Sequence, residues 1–384
     1  PDFETLIRAT SNDLGITDPT FVEKDYWVTQ VLRVLNNCYP GGFLFKGGTS
    51  LSKGYSIIQR FSEDVDVLAV PPAGATNKGR EKHLLKMSER VASELGLRWA
   101  AAQSPGGGSR AHRGDAMGFD SVLPPGLLPE IRQSAVLLEI GYGDGHEPAE
   151  MVDIVPLLSQ TGRVDPSDHD DTAPFTVRAL HPVRTLVEKL FALHHVVSRH
   201  VEGADVSEVR FGRHYYDIFQ LLGHQATKQR LGSADFATLV AEVQRVSAAH
   251  YGGTTPRPEA GFSTSPAFKP DAELRPWLEG RYVASLDLVP DGADRPTFKA
   301  VLARVQRAVF ARLHTFVDEK ILRIPRQQGL RHGGGAQAAN FLIMREGQPH
   351  TARAALKQWH MGERKGKKRL HVRSAAPADA LPLF

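Results

Sequence analysis

Residues 46–70 of this 384-residue chain read KGGTSLSKGYSIIQRFSEDVDVLAV, and this stretch decides the predicted fold. The apolar run just before it predicts a buried strand that delivers the chain into Gly47 and Gly48. Two glycines in succession allow positive φ and let a bulky group approach the backbone closely. A helix is predicted from about Ser50, and it would point unpaired N–H groups and its positive dipole end at the turn. The turn therefore suits a phosphate, although the spacing of a Walker A loop is absent.

An acidic pair follows the turn. Acidic and apolar residues alternate in SEDVDVLAV, which is typical of a strand, and Asp64 and Asp66 would share one face while Val65 and Val67 point into the core. Adjacent carboxylates repel unless a cation neutralises them, and Mg²⁺ fits because it binds one or two carboxylates together with phosphate oxygens. A half-exposed strand also shows acidic alternation, so it is the glycine turn upstream that favours nucleotide chemistry.

Composition and charge narrow the class of protein. The chain has 47 Lys and Arg against 43 Asp and Glu, so its net charge permits a nucleic-acid partner without arguing for one. Its one cysteine, Cys38, cannot form an internal disulfide, which favours a reducing compartment. No uncharged apolar run approaches the ~18 residues of a membrane span, and acidic residues interrupt the first twenty positions where a signal peptide would be apolar. We expect a soluble cytoplasmic protein with no membrane partner.

The chain changes character near residue 180. Before it, strand and helix patterns mix, whereas after it helical patterns dominate. Helices are predicted at Phe21–Leu35, Arg80–Glu94, Val183–His200, Tyr215–Leu222, Asp235–Ala249 and Thr297–Val317, further strands at Leu97–Ala102, Ala116–Leu123 and Ser134–Tyr142, and loops at Gly252–Pro270 and Arg326–Ala336. We expect one domain over residues 1–180, with an N-terminal helix, and a mainly helical domain over 181–384 that ends in a basic tail.

The string FKGGTSLSKGY…RFSEDVDV resembles the signature of the AbiEii/AbiGii family of nucleotidyltransferase toxins. This family is a branch of the DNA polymerase β-like superfamily and includes the MenT toxins of mycobacteria. The segment VEKDYW at 22–27 is similar to the family's N-terminal helix, and the resemblance extends from about residue 20 to about residue 222. It implies an α+β fold, in which a polymerase-β-like nucleotidyltransferase core with a mixed sheet and flanking helices precedes a mainly helical C-terminal domain.

The resemblance also assigns roles to motif residues. It implies that the turn holds the nucleotide's triphosphate through Gly47, Gly48, Thr49 and Ser50, and that Asp64 and Asp66 hold the metal ions. Lys53, one helical turn past Ser50, would lie on the same face and reach phosphate; a solvated helix lysine is the alternative.

A third carboxylate is expected from a neighbouring strand, as in other members of the superfamily. Glu139 lies in the apolar run VLLEI, and Asp153 in MVDI is its rival. An ordinary edge-strand residue is the alternative for either one.

The family's third and fourth motifs are single residues, a lysine and an aspartate, for which Lys189 and Asp217 are the matching candidates. Lys189 lies in a helix with apolar residues around most of its circumference, so a lysine there needs a counter-charge that a nucleotide phosphate can supply. Asp217 lies in the equally apolar YYDIFQLL and would orient Lys189 or the base. A structural ion pair, or a lysine that snorkels to solvent, is the alternative.

The activity that the resemblance implies is transfer of nucleotides from an NTP to the 3′ end of tRNA, with two Mg²⁺ ions, which would stop translation. The implied partner is an AbiEi-like antitoxin, often a winged-helix repressor. The basic tail, with Trp359, His360 and His371 among its cations, could follow an RNA backbone or be a solvated, disordered segment. A small-molecule or protein acceptor, and a non-catalytic nucleotide-binding protein, are the competing hypotheses.

Overall fold

The structure is a computed structural model that describes residues 2–308, with gaps at 63, 100–111, 125–133, 144, 166, 168, 208–209, 252–254, 260 and 291–292, and strand residues 342–345 and 348–351. Its strands are β1 (Phe43–Lys46), β2 (Asp64–Ala69), β3 (Arg98–Trp99), β4 (His112–Gly118), β5 (Ala135–Gly141), β6 (Ala149–Ile154), β7 (Phe175–Leu180), β8 (Leu342–Arg345) and β9 (Gln348–Thr351). Its helices are α1 (Phe3–Asp13), α2 (Thr20–Cys38), α3 (Gly47–Thr49), α4 (Asn77–Leu95), α5 (Leu157–Gln160), α6 (Pro182–Val201), α7 (Gly212–Gly223), α8 (Gln225–Leu231), α9 (Phe236–Tyr251) and α10 (Leu274–Ala284). Residues 298–308 are also helical.

Seven strands form one mixed sheet in the order β3-β4-β5-β2-β1-β7-β6, and β8 and β9 form a separate hairpin. Strand β2 runs parallel to β5 and antiparallel to β1, while β1 runs parallel to β7. The mixed sheet with flanking helices is the α+β architecture that the sequence predicts. The acidic strand β2 lies at the centre of the sheet, between β5 and β1.

The two faces of the central strands differ. Val65 and Val67 of β2 are fully buried among apolar residues of α2 and α4, on one face of the sheet. Asp64 and Asp66 alternate with them and therefore lie on the opposite face, as predicted. That alternation leaves an acidic row on the face that α2 and α4 do not cover.

A second core lies among the helices that follow the sheet. It joins α6, α7, α9, α10 and the helix at 298–308, and it takes in Leu51 and Ile58 from the segment between β1 and β2. The predicted phosphate turn is therefore held between the sheet and the helical part of the chain. In the part of the chain that the structure describes, no helix is long and apolar enough to cross a bilayer.

Several predicted elements need correction. Strand β4 ends at Gly118, so the strand predicted at Ala116–Leu123 is displaced, and β7 was not predicted at all. Within the predicted loop Gly252–Pro270, Phe262 and Phe268 are buried in the helical core, so the described part of this segment is more than a linker. The predicted loop at 326–336 and the basic tail from 357 lie outside the described residues. The domain boundary near residue 180 stays a prediction.

Helix α6 offers a matched test of the helical core. Val197 is completely buried and Val201, one turn later, is 60% exposed. We expect Val197→Ala to lower the free energy of unfolding by ~2 kcal/mol, because a buried valine loses both its burial and its packing, and Val201→Ala to change it little. Urea denaturation followed by circular dichroism measures both values, and equal losses would contradict the assigned helix face.

Candidate active site

Three carboxylates lie side by side on the open face of the sheet. In the parallel register of β2 with β5, Asp66 is paired directly with Glu139 and Asp64 with Leu137. Glu139 and Asp66 share a hydrogen bond. Of the two alternatives for a third carboxylate, Glu139 is beside the acidic pair, whereas Asp153 is exposed on β6 at the far edge of the sheet.

The charge states of these carboxylates differ. Burial and then the nearby Asp66 charge raise the pKa of Glu139 to about 8. Burial acts against ionisation of Asp66 too, but the Lys46 cation and the hydrogen bond from Glu139 outweigh it and lower the pKa of Asp66. Near neutral pH one proton is therefore held between Asp66 and Glu139.

The glycine turn is shaped by what surrounds it. Gly47 has φ +75°, and a Cβ there would collide with the Asp66 carboxylate. A Cβ on Gly48 would lie 2.5 Å from Arg60 Nη2 and 2.9 Å from Ser62 Oγ. Glycine is thus required at both positions, by backbone angle at the first and by close side-chain approach at both.

The helical segment after the turn is shorter than the sequence suggested. It begins at Gly47, and α3 passes at Ser50 into a single π-helical turn that ends at Gly54. A helix this short adds little dipole, so attraction for a phosphate at the turn must come mainly from side-chain cations. This differs from the predicted dipole contribution of a helix starting near Ser50.

The two hydroxyl residues of the turn hold the backbone together. Thr49 Oγ1 donates to the Asp64 carbonyl and lies 2.9 Å from Ser62 Oγ. Ser50 is fully buried, and its hydroxyl donates to the Gly47 carbonyl at 2.9 Å. Thr49 thus ties the turn to the acidic strand, and Ser50 ties the turn to itself. A phosphate at the turn would therefore be bound by the backbone, because the Ser50 hydroxyl is already engaged.

Lys53 points away from the turn. Its Nζ pairs with Asp25 on α2, and the other Asp25 oxygen accepts from the Leu157 backbone N–H at 2.9 Å. Lys53 therefore lies in a buried ion pair that fastens the π-helical turn to α2. It does not lie beside the phosphate that Ser50 was expected to bind.

Lys189 and Asp217 meet in a buried cluster. Lys189 Nζ lies 2.8 Å from Asp217 Oδ2, and their side chains are 9% and 0% exposed. Arg60, also buried, donates through Nε and Nη2 to the two oxygens of the same carboxylate, at 2.6 and 2.8 Å. One carboxylate therefore faces two cations, and the three side chains together carry one net positive charge.

The cluster's protonation states follow from its burial. Burial acts against the charge of Asp217, but Arg60 and Lys189 outweigh it and hold the Asp217 pKa far below its usual range. Burial is also the main cause of the lowered Lys189 pKa, with Asp217 opposing the shift and Arg60 adding to it. His214 Nδ1 lies 3.3 Å from Lys189 Nζ, and burial and that cation keep the pKa of His214 well below its ordinary value, so its ring is neutral.

Arg213 links the two groups of charges. Its Nη1 lies 3.9 Å from Asp64 Oδ2, and its buried Nε has no hydrogen-bond partner among the residues that the structure describes. A guanidinium held this way has donor capacity that an anion between the acidic row and the cation cluster would use. The α7 side chains thus face the carboxylates of β2 across the site.

Four functional candidates were missed by sequence reasoning: Lys46, Arg60, Arg213 and His214. Arg60 is 157 positions from Asp217 in the chain, so no spacing rule connects them. A signal was present for Lys46, which ends the strand before the turn and pairs with Asp66 across β1 and β2. Arg213 and His214 begin α7 and could have been noted as polar residues four and three positions before Asp217.

The side chains of the acidic row have donor atoms that suit a divalent ion. Asp64, Asp66 and Glu139 offer only hard oxygen donors, which Mg²⁺ prefers. Within the described residues no group of three or more His, Cys, Asp or Glu side chains is already drawn together to hold an ion. The Asp66–Glu139 hydrogen bond is the feature that fits best, because a cation would replace the proton that these carboxylates share. The residues present therefore fit Mg²⁺ in chemistry, with remaining ligands from phosphate and water.

Paired carboxylates on a central strand, a glycine turn beside them and buried cations opposite place the protein in the class of nucleotidyltransferases. The comparison with protein families agrees, since residues 36–332 match the model described as "Nucleotidyl transferase AbiEii toxin, Type IV TA system". The match covers most of the chain, so the chain belongs to the AbiEii family of nucleotidyltransferase toxins from type IV toxin–antitoxin systems. This is the family that the turn and the acidic strand resemble in the sequence.

Among solved structures, MenT4, a nucleotidyltransferase toxin from Mycobacterium tuberculosis H37Rv, is similar to this chain at 16% identity, with 81% of this chain and 98% of that chain covered and a TM-score of 0.44. A search of curated proteins found no match.

Asp217→Asn tests the cation cluster. The substitution leaves Arg60 and Lys189 buried without their counter-charge, and we expect it to lower the free energy of unfolding by ~3–5 kcal/mol. The control is Asp13→Asn, since Asp13 also binds an arginine, Arg163, through two oxygens but at the surface. That variant should leave the urea midpoint nearly unchanged; equal shifts in the two variants would contradict the account.

The Glu139 pKa gives a pH test. Its folded-state value of about 8 lies above the ordinary value of 4.5. The stability contributed by the neutral carboxyl is therefore complete below pH ~4.5 and is lost as the pH rises to about 8. The side chain in Glu139→Gln stays neutral at every pH. In EDTA we therefore expect the free energy of unfolding of this variant to rise relative to wild type between pH ~4.5 and about 8, and to show no further relative gain at higher pH. Urea denaturation at several pH values measures this, with exposed Glu89→Gln as control; a difference independent of pH would contradict the assignment.

Proposed function

We propose that the protein transfers nucleotides from an NTP to the 3′ end of tRNA, in a reaction that depends on Mg²⁺. One observation carries the proposal: two groups of opposite charge face each other across the glycine turn. Asp64, Asp66 and Glu139 form the acidic side, and Arg60 and Lys189 form the cationic side. A nucleoside triphosphate bound with a divalent ion needs both kinds of partner at once.

The acidic row would hold the metal. Asp64 and Asp66 are the proposed ligands, and Glu139 becomes a third when it gives up its proton. Bound Mg²⁺ would supply two effects, a lower pKa for the attacking hydroxyl and neutralisation of charge on the leaving pyrophosphate. This fits a family of nucleotidyltransferases, whose members take an NTP as substrate.

The cationic side would position the triphosphate. Lys189 and Arg213 bind its oxygens, Arg60 stands against the turn at Gly48, and Asp217 fixes the two buried cations in place. The acceptor hydroxyl oxygen bonds to the α-phosphorus, the bond from that phosphorus to the β-phosphate oxygen breaks, and pyrophosphate leaves. Positioning and charge stabilisation account for the chemistry, so no nucleophilic side chain is needed.

The acceptor and the partner rest on the family. Toxins of a toxin–antitoxin system have an antitoxin partner, and we propose an AbiEi-like winged-helix repressor for this one. A tRNA acceptor would explain how nucleotide transfer stops growth, because a modified 3′ end cannot be charged. The basic tail, as a candidate RNA-binding segment, stays a prediction.

The test is to incubate the protein with Mg²⁺, each labelled NTP in turn, and total tRNA or total protein. We expect label in tRNA with one or more NTPs, and a fall of at least about a hundredfold in Asp66→Ala, because that substitution removes a proposed metal ligand. Asp120→Ala removes an exposed aspartate that pairs with Arg98 at the surface, and it should retain full activity.

Label in protein alone would support the alternative acceptor class. Absence of label with every NTP and every acceptor would contradict the proposed activity. Incorporation that EDTA does not reduce would contradict metal dependence while leaving nucleotide transfer in place.

A further inference from the structure

A cavity of about 640 Å³ borders the segment that joins the turn to the acidic strand. Its walls come from α2, the π-helical turn, residues 56–62 and the chain after β6. The volume is within the ~300–1,000 Å³ of small-molecule sites. Neither the acidic row nor Lys189 lines it, so the cavity is separate from the groups assigned to phosphate and metal.

The cavity nevertheless borders the phosphate turn. Arg60 and Ser62 line it, and the same two side chains flank Gly48. A ligand in the cavity would therefore be a close neighbour of a nucleotide whose phosphates lie at the turn. Ser56, another lining residue, has φ +52°, an angle that is uncommon for residues other than glycine and that occurs often at ligand sites.

The lining suits a flat, uncharged ligand. Phe21 and Phe61 are half-buried there, with ring centroids 4.4 Å apart and planes at 33°. Gln59 and Gln160 add exposed amides that can donate and accept. Aromatic faces with amides at the rim are what proteins use to stack and read a base.

The charges in the cavity argue against a phosphate there. Its two lining cations are already engaged, Lys53 by Asp25 and Arg60 by Asp217. Asp153 adds a carboxylate to the wall. The lining carboxylates Asp25 and Asp153 offset the two cations, so the lining carries no net charge and suits a neutral heterocycle better than a phosphate.

We propose that this cavity binds a nucleobase, stacked against Phe61 and read by Gln59 and Gln160. The inference rests on the proposed nucleotide chemistry and extends it to base recognition. The base can belong to the incoming NTP or to the last nucleotide of the RNA acceptor, since both present the same planar heterocycle. Phe61 is the residue that decides affinity and the two glutamines decide which base is preferred.

The test compares ligands that have a base with one that does not. Binding of each NTP, of inorganic triphosphate, and of a single-stranded RNA oligonucleotide with a free 3′ hydroxyl is measured with Mg²⁺ and without a second substrate. We expect Phe61→Leu to weaken binding of an NTP or of the RNA about tenfold, because a base loses its stacking partner, and to leave binding of inorganic triphosphate unchanged. A matched control is Phe175→Leu, since Phe175 is a half-buried phenylalanine of β7 that contacts Arg33 and does not line the cavity.

A second variant avoids dependence on Phe61→Leu alone. Phe61→Trp keeps an aromatic ring, so binding should be retained. The fluorescence of the introduced indole should be quenched by the base-containing ligand but not by inorganic triphosphate. A loss confined to NTPs assigns the base to the donor, and a loss confined to RNA assigns it to the acceptor. Equal losses of affinity for all three ligands in Phe61→Leu would overturn the proposal. The proposal would also fail if Phe61→Leu lost no affinity and Phe61→Trp showed no quenching.

This outcome is distinct from that of the labelling experiment. If RNA is labelled but Phe61→Leu binds every ligand as wild type does, the base assignment fails and the proposed function stands. If no acceptor is labelled, the proposed function fails, and the comparison of NTP with triphosphate still decides whether the cavity takes a base.

Discussion

Burial of two cations against one carboxylate is the interaction on which the site depends. Asp217 holds Arg60, from the segment before β2, and Lys189, from α6, in a place where burying the two cations without its counter-charge would be costly. The same contact ties the glycine turn to the helical core, because Arg60 also packs against Gly48. Two charges against one leave a net positive charge beside the turn, and that excess is what an incoming phosphate would neutralise. The unbalanced charge that makes the cluster costly to bury is thus the same charge that would bind phosphate.

The acidic side is arranged in the complementary way. Asp66 and Glu139 are brought together by strand register and hold one proton between them, so the site avoids the full repulsion of its carboxylates. Binding of a divalent ion would release that proton and let both side chains act as ligands. The three carboxylates of the acidic row lie on the sheet, whereas Lys189 lies on α6, Arg213 on α7, and Arg60 against Asp217 of α7. A metal-bound triphosphate is a ligand that matches both groups.

Much of this could be predicted from the sequence, and the limits have physical causes. Strand alternation placed Asp64 and Asp66 on one face, and the apolar surroundings of Lys189 correctly indicated burial, because both signals are local. The ion pair of Lys189 with Asp217, left open as an alternative, is present. Arg60 could not be found, since its partner lies far along the chain and only tertiary contact reveals it. Strand β7 was missed although its residues alternate, with Val177 and Ala179 buried and Thr176 and Arg178 exposed, because the run is only six residues long and ends just before α6.

The central claim is that the Arg60, Lys189 and Asp217 cluster is built to receive phosphate, and binding of inorganic triphosphate tests it most directly. Calorimetric titration of wild type, Lys189→Gln and Asp217→Asn would give the affinities under one set of conditions. The account predicts weaker binding in Lys189→Gln, because a cation is lost, and binding at least as tight as wild type in folded Asp217→Asn, because both cations are released toward the ligand. Unchanged affinity in Lys189→Gln would contradict it, and the cluster would then be a structural ion pair alone.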